Sequence, residues 1–97
     1  MRLLALALLA LAGWQPGPPL PVARSEVAGT AFAGGVAVVG GFLADGSSSA
    51  RADVFRPGGG WSALPDLPVP VNHAMAAASG GRLYVVGGYG SKSTSSR

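Results

Sequence analysis

The chain has 97 residues, of which 48% are apolar and 11% are charged, which excludes a large enzyme and argues against a disordered chain. The net charge of +3 comes from scattered basic residues without interleaved aromatics, so we expect no nucleic-acid partner. The sequence has no Cys, which excludes disulfides and Cys-based metal sites. Sixteen Gly and eight Pro favour short strands and tight turns, and therefore an all-β fold.

The N-terminus has the layout of a secretory signal peptide. Arg2 precedes an uninterrupted apolar run from Leu3 to Ala12, and small residues at Ala10 and Ala12 fit the positions that a signal peptidase reads. A run of this length is too short for a membrane span, which needs about 20 apolar residues. We therefore predict that residues 1–12 are a signal peptide cleaved after Ala12, that the mature chain is secreted or periplasmic, and that it has no stable membrane span. A short buried helix is the alternative.

Four short strands follow, separated by turn-forming residues. The predicted turns are Gly34-Gly35 and Gly80-Gly81, where a two-residue hairpin requires positive φ. A longer Ser- and Gly-containing loop runs from Leu43 to Arg51, and a new unit begins at His73. The four predicted strands are Val27–Phe32, Val36–Gly40, Ala52–Phe55 and Trp61–Leu64.

The sequence repeats with a period of 47 residues. Gly40-Gly41 recurs as Gly87-Gly88, and each glycine pair follows an apolar strand. The same offset relates several further residues, which indicates a repeat architecture. These pairs are Trp14 with Trp61, Pro18 with Pro65, Leu20 with Leu67, Pro21 with Pro68, Ala31 with Ala78 and Gly34 with Gly81.

A glycine pair after an apolar strand is followed by the aromatic-x-Pro step Phe55-Arg56-Pro57 and then by Trp61. This order of motifs resembles the Kelch repeat. The resemblance covers residues 14–90 and implies four-stranded antiparallel blades around a central channel. The expected fold is a partial Kelch-type β-propeller with about one complete and two incomplete blades. Trp14 to Pro21 would be the last strand of one incomplete blade, and residues 91–97 a Ser- and Thr-rich tail at a truncation. One departure is Val71, which stands where the family has an Arg.

The candidate site residues are structural in this interpretation. His73 is expected at the start of a strand, packed between blades, while Tyr84 is expected in the core and the two Trp between blades. Asp45, Asp53 and Asp66 are expected to form turns, since no second carboxylate is suitably spaced for acid–base catalysis. We therefore assign no catalytic, cofactor-binding or metal-ligating residue and expect no cofactor. The structural set is Gly40, Gly41, Gly87, Gly88, Trp14, Trp61, His73, Tyr84 and Pro57.

For function, the resemblance implies an exported, non-catalytic binding module that is a fragment of a larger propeller, with a protein or carbohydrate ligand at the loop face. The alternative is the N-terminal part of an exported propeller enzyme resembling galactose oxidase or a sialic-acid epimerase. One His and no Cys cannot form the copper site of galactose oxidase within this chain. A truncated reading frame without its own function is a third interpretation. Unpaired blade edges predict self-association.

Overall fold

A computed structural model describes residues 13–90, so the predicted signal peptide at 1–12 and the tail at 91–97 lie outside the described residues. The described part of the chain forms two antiparallel sheets and has no helix. The prediction of an all-β fold is therefore confirmed. The strands are β1 (Ala28–Phe32), β2 (Gly35–Val39), β3 (Ala52–Arg56), β4 (Gly60–Ala63), β5 (Met75–Ser79) and β6 (Arg82–Val86).

The first sheet contains β1 to β4 in chain order, so each strand pairs with its sequence neighbour. The second sheet is the hairpin of β5 and β6. All four strands predicted for the first unit are present, with ends shifted by one residue. Ala52–Phe55, for example, extends to Arg56, and the strand predicted at Trp61 begins at Gly60.

The incomplete blade predicted at the N-terminus does not form. Residues 14–21 contain no strand, and the Trp14 side chain is fully exposed. Prolines at 16, 18, 19 and 21 remove the backbone N–H groups that a strand would use in pairing. The described chain therefore contains one four-stranded unit and one two-stranded unit.

The hairpin turns differ in one detail from the expected pair. Gly80-Gly81 forms the second turn as predicted, with both residues at positive φ. The first turn is Ala33-Gly34, and Gly35 already belongs to β2. Gly35 lies against the Phe55 carbonyl, where a Cβ would clash, so the glycine here allows close strand approach.

The two units correspond residue by residue at an offset of 47. Strands β5 and β6 have the bounds of β1 and β2 plus 47 residues. The isolated bridge between Ser25 and Phe42 likewise recurs between Asn72 and Tyr89. This internal correspondence allows each position of the second unit to be compared with its equivalent in the first.

The core lies between the sheets. Leu83 and Val85 of β6 pack against a buried cluster in the first sheet that contains Ala37 and Val39. The opposite face of β6 is open, and Tyr84 is 50% exposed. The prediction that Tyr84 is a core residue is therefore wrong, because alternate residues of a strand point to opposite faces and only one face of β6 is covered.

Candidate functional site

The most varied set of side-chain types lies at one end of the two sheets. Strands β1 and β5 begin at this end, whereas β2 and β6 finish there, so their flanking segments come together. We call this the loop end and define it as residues 24–27, 40–51, 71–74 and 87–90. The hairpin turns lie at the opposite end of the strands.

His73 lies at the centre of the loop end. Its Nε2 atom is 3.1 Å from the Glu26 carboxylate, and its Nδ1 atom is 2.6 Å from the Asn72 side-chain oxygen. The ring makes edge contacts with Phe42 and Tyr89, with centroid distances of 5.7 and 6.4 Å. His73 thus contacts side chains of both units.

The backbone at His73 explains why it precedes the strand instead of beginning it. His73 has a φ of 56° and lies two residues before β5. Glu26, its equivalent in the first unit, has a φ of 52°, and the His73 N–H donates to the Glu26 carbonyl. Both units therefore turn sharply at the same position before their first strand, and the turn places His73 against Glu26.

The loop between β2 and β3 is held by hydrogen bonds along its length. The Leu43 N–H donates to the Ser47 carbonyl, and the Asn72 amide donates to the buried Ser48 hydroxyl at 2.8 Å. At the tip, Asp45 accepts hydrogen bonds from the Ser47 hydroxyl and N–H, which lower the pKa of Asp45. Asp45 therefore forms a turn as predicted, and only the tip at 44–46 is exposed.

Behind this loop, Arg24 and Asp53 form a buried ion pair. Arg24 Nη2 lies 2.7 Å from Asp53 Oδ2, and neither side chain is exposed. Arg24 Nη1 also donates to the Gly40 and Arg51 carbonyls. Burial lowers the pKa of Arg24, while the negative charge of Asp53 opposes this shift. The pair ties the segment before β1 to the start of β3.

The prediction that Asp53 forms a turn is wrong. Asp53 lies within β3, and Arg51 Nη2 approaches its second carboxylate oxygen at 2.6 Å. A carboxylate inside an apolar strand needs a cationic partner when it is buried. That mismatch between Asp53 and its apolar neighbours was the sequence signal for an ion pair.

The paired glycines allow backbone segments to approach closely. Gly40, Gly41, Gly87 and Gly88 all have positive φ. A Cβ on Gly88 would lie 2.6 Å from the Asn72 carbonyl oxygen, and one on Gly41 would clash with the equivalent Ser25 carbonyl. In each unit, the glycine pair therefore allows the end of the second strand to lie against the segment that precedes the first strand. The contact is made at Ser25 in the first unit and at Asn72 in the second.

Trp61 and Pro57 lie in β4 and in the turn that precedes it, outside the loop end. Trp61 packs on Phe55 with a centroid distance of 5.5 Å, and its Nε1–H donates to the Pro18 carbonyl. Pro57 begins the turn between β3 and β4. The observed Trp61 contacts are therefore within the first sheet and to the N-terminal segment.

We expect His73→Asn to lower the free energy of opening of the second unit by about 1 kcal/mol, because the ring contacts are lost while Asn tolerates the positive φ. The matched control is Glu26→Asn, which keeps the same φ and removes only the half-exposed carboxylate that contacts the His73 ring. Its expected cost is about 0.5 kcal/mol or less. Amide hydrogen exchange should accelerate in β5 and β6 relative to β3 for His73→Asn. Equal exchange rates in both variants would contradict a joining role for the His73 ring.

Comparisons with known proteins add no relative. No protein-family model matches the sequence, and no curated protein matches it. Within residues 13–90, no three His, Asp or Glu side chains are grouped so that they could hold a metal ion. The same stretch has no helix that is long and apolar enough to cross a membrane.

Proposed function

We propose that the chain is the exported N-terminal part of a Kelch-type β-propeller and that it serves as a non-catalytic binding module. The ligand is a protein or a carbohydrate, bound at the loop end. The signal-peptide layout supports export. Two units with equivalent strands, packed face to face, support a blade architecture, in which each unit buries its apolar face against a neighbour.

The observation that carries the binding role is the exposed cluster of His73, Tyr89 and Glu26. Tyr89 is 46% exposed, and about half of the surfaces of the His73 and Glu26 side chains are accessible. Aromatic rings with a polar edge supply contact area and hydrogen bonds to sugars or to peptide side chains. Glu26 adds a carboxylate acceptor beside them.

The scaffold below this cluster is well suited to hold it in place. Tyr89 pairs with Asn72 through two backbone hydrogen bonds, and Phe42 pairs with Ser25 in the same manner. A backbone that is already held by pairing loses little further conformational entropy when a ligand binds. The loop end therefore combines exposed recognition groups with a rigid support, as binding loops on a sheet framework do.

Titration of the ¹⁵N-labelled full chain tests this role. The probes are a panel of neutral and acidic oligosaccharides and, separately, a library of unstructured peptides. We expect amide shift changes at residues 42–47, 72–74 and 89. Tyr89→Ala should weaken binding about tenfold, the effect of losing roughly one aromatic contact.

The matched control is Tyr84→Ala, which removes an equally exposed tyrosine from the sheet face outside the loop end. This variant should bind the same probe with unchanged affinity. Shift changes confined to the hairpin turns at the opposite end, or equal losses in both tyrosine variants, would contradict a ligand site at the loop end.

A further inference from the structure

Both ring nitrogens of His73 lie against side-chain oxygens. Nδ1 is 2.6 Å from Asn72 Oδ1, and Nε2 is 3.1 Å from Glu26 Oε2. The orientation of the Asn72 amide is fixed, because its Nδ2 donates to the Ser48 hydroxyl and to the Tyr89 carbonyl, which can only accept. The Asn72 side-chain oxygen therefore accepts a hydrogen bond from the Nδ1–H of His73.

This hydrogen bond determines the state of the other ring nitrogen. A neutral imidazole carries one N–H, so a proton on Nδ1 leaves a lone pair on Nε2. The lone pair of His73 Nε2 and the carboxylate oxygen of Glu26 then face each other as two acceptors. A group with two or more N–H donors bridges such a pair, and a cationic group is also attracted by the carboxylate charge.

The charges around this acceptor pair favour a cation. Within residues 13–90, no Lys or Arg side chain pairs with Glu26. The two arginines of the loop end, Arg24 and Arg51, instead contact the buried Asp53. The half-exposed Glu26 carboxylate thus keeps its charge available to a ligand.

The other contacts of His73 favour an ammonium group over a metal ion. The rings of Phe42 and Tyr89 stand nearly perpendicular to the His73 ring, at 76° and 77°. Aromatic rings attract ammonium groups through their quadrupole. A zinc ion takes three or four ligands from the protein, whereas residues 13–90 place no third His, Asp or Glu beside Glu26 and His73.

We propose that Glu26 and the Nε2 atom of His73 bind a primary ammonium group, carried by a lysine side chain or by an amino sugar. The ammonium donates one N–H to each acceptor. This inference rests on the proposed ligand site at the loop end and names the chemistry of its ligand.

Protons compete with the ligand at this site. An imidazolium at His73 donates from Nε2 to Glu26 and repels the ammonium, and imidazoles gain this proton between about pH 8 and pH 5. Tyr89 is the other titratable side chain in contact with the ring, and phenols titrate only near about pH 10. Ligand binding therefore weakens as the pH falls from about 8 to about 5.

Two matched pairs of probes test the proposal by amide shift changes in the ¹⁵N-labelled full chain. The first pair is a blocked Gly-Lys-Gly peptide and the same peptide with norleucine in place of lysine. The second pair is a glucosamine trimer and its N-acetylated form. At about pH 7.5, the charged member should bind at least about tenfold more tightly. A preference in the peptide pair alone identifies a polypeptide as the source of the ammonium, and one in the sugar pair alone identifies an amino sugar.

Substitutions test which atoms bind the ammonium. Glu26→Gln replaces a carboxylate oxygen by an NH₂ group and should reduce the preference to about twofold or less. The matched control is Asp45→Asn, which removes an exposed carboxylate bonded to Ser47 at the same end. At about 150 mM salt, which screens distant charges, this variant should keep the native preference.

The pH dependence of binding tests the site without a substitution, so it holds even where Glu26→Gln alters the fold. Lowering the pH from about 7.5 to about 5.5 should weaken the binding of the charged probe about fivefold or more, because most of the imidazole is then protonated. The neutral probe should bind equally at both values. A charged probe that binds as tightly at the lower pH would overturn the proposal.

The remaining outcomes separate this inference from the binding role itself. Lys92 lies outside the described residues and carries an ammonium of its own, so Lys92→Gln should bind the charged probes as the native chain does. Binding only after this substitution would overturn the proposal, because the tail would then fill the site. Equal affinity for charged and neutral probes, with shift changes at the loop end, would overturn the ammonium inference and leave the ligand site in place. No shift changes at the loop end with any probe would contradict both.

Discussion

Asp53→Asn is expected to lower the free energy of unfolding by about 3 kcal/mol, because it leaves the buried Arg24 cation without its carboxylate. Arg24 would keep its bonds to the Gly40 and Arg51 carbonyls, but these carry no negative charge. Urea denaturation followed by circular dichroism measures the effect. A shifted midpoint with an unchanged slope identifies a change in stability.

Asp45→Asn is the matched control for this substitution. Asp45 is exposed and bonded only to Ser47, so its replacement should leave the midpoint close to that of the native chain. The double variant Arg24→Met with Asp53→Leu removes both charges and should recover most of the loss, because apolar replacements of a buried pair are often neutral or stabilising. A small effect of Asp53→Asn alone would show that the pair contributes little to the fold.

Gly41→Ala should destabilise the chain by about 3 kcal/mol, the sum of backbone strain and steric overlap. The residue has a φ of 98°, and an added Cβ would clash with the Ser25 carbonyl and lie 2.7 Å from Val27 Cγ1. The clash falls on the bridge between Ser25 and Phe42, which leads into β1. Thermal unfolding of the variant measures the combined cost.

Gly46→Ala separates the two contributions. Gly46 also has positive φ, at 84°, but nothing lies within 4 Å of an added Cβ. This variant should therefore show the backbone strain alone, about 1–2 kcal/mol. Equal losses in the two variants would mean that Gly41 is required for its conformation and not for close approach to Ser25.

The sequence pattern was sufficient for most of the strand framework, because short apolar runs between turn residues define strands to within a residue or so. It failed to locate the first hairpin turn, which was predicted at Gly34-Gly35. Ala33 adopts positive φ in this turn despite its side chain, because the hairpin register places Gly35 against Phe55. It also failed at Trp14, whose apparent repeat partner Trp61 is in a strand while Trp14 is not. A match of residue types at the repeat spacing does not show that a segment has a neighbouring strand with which to pair.

The candidate site was only partly accessible to sequence reasoning. His73 could be singled out, but its contacts with Glu26 and Phe42 depend on how the second sheet packs on the first. Residues so far apart in the chain give no local signal of contact. The offset of 47 does relate Glu26 to His73 and Phe42 to Tyr89, so comparing the units identifies the positions without showing that they meet.

The packing of the two sheets has a direction, which matters for self-association through the sheet faces. Leu83 and Val85 cover Ala37 and Val39, whereas the residues equivalent to Ala37 and Val39 are the exposed Tyr84 and Val86. A second copy repeating this contact would dock head to tail, and the pair would still present one free face of each kind. Two-fold symmetry does not satisfy such a heterologous contact, so assembly through these faces continues until a ring closes or a filament forms.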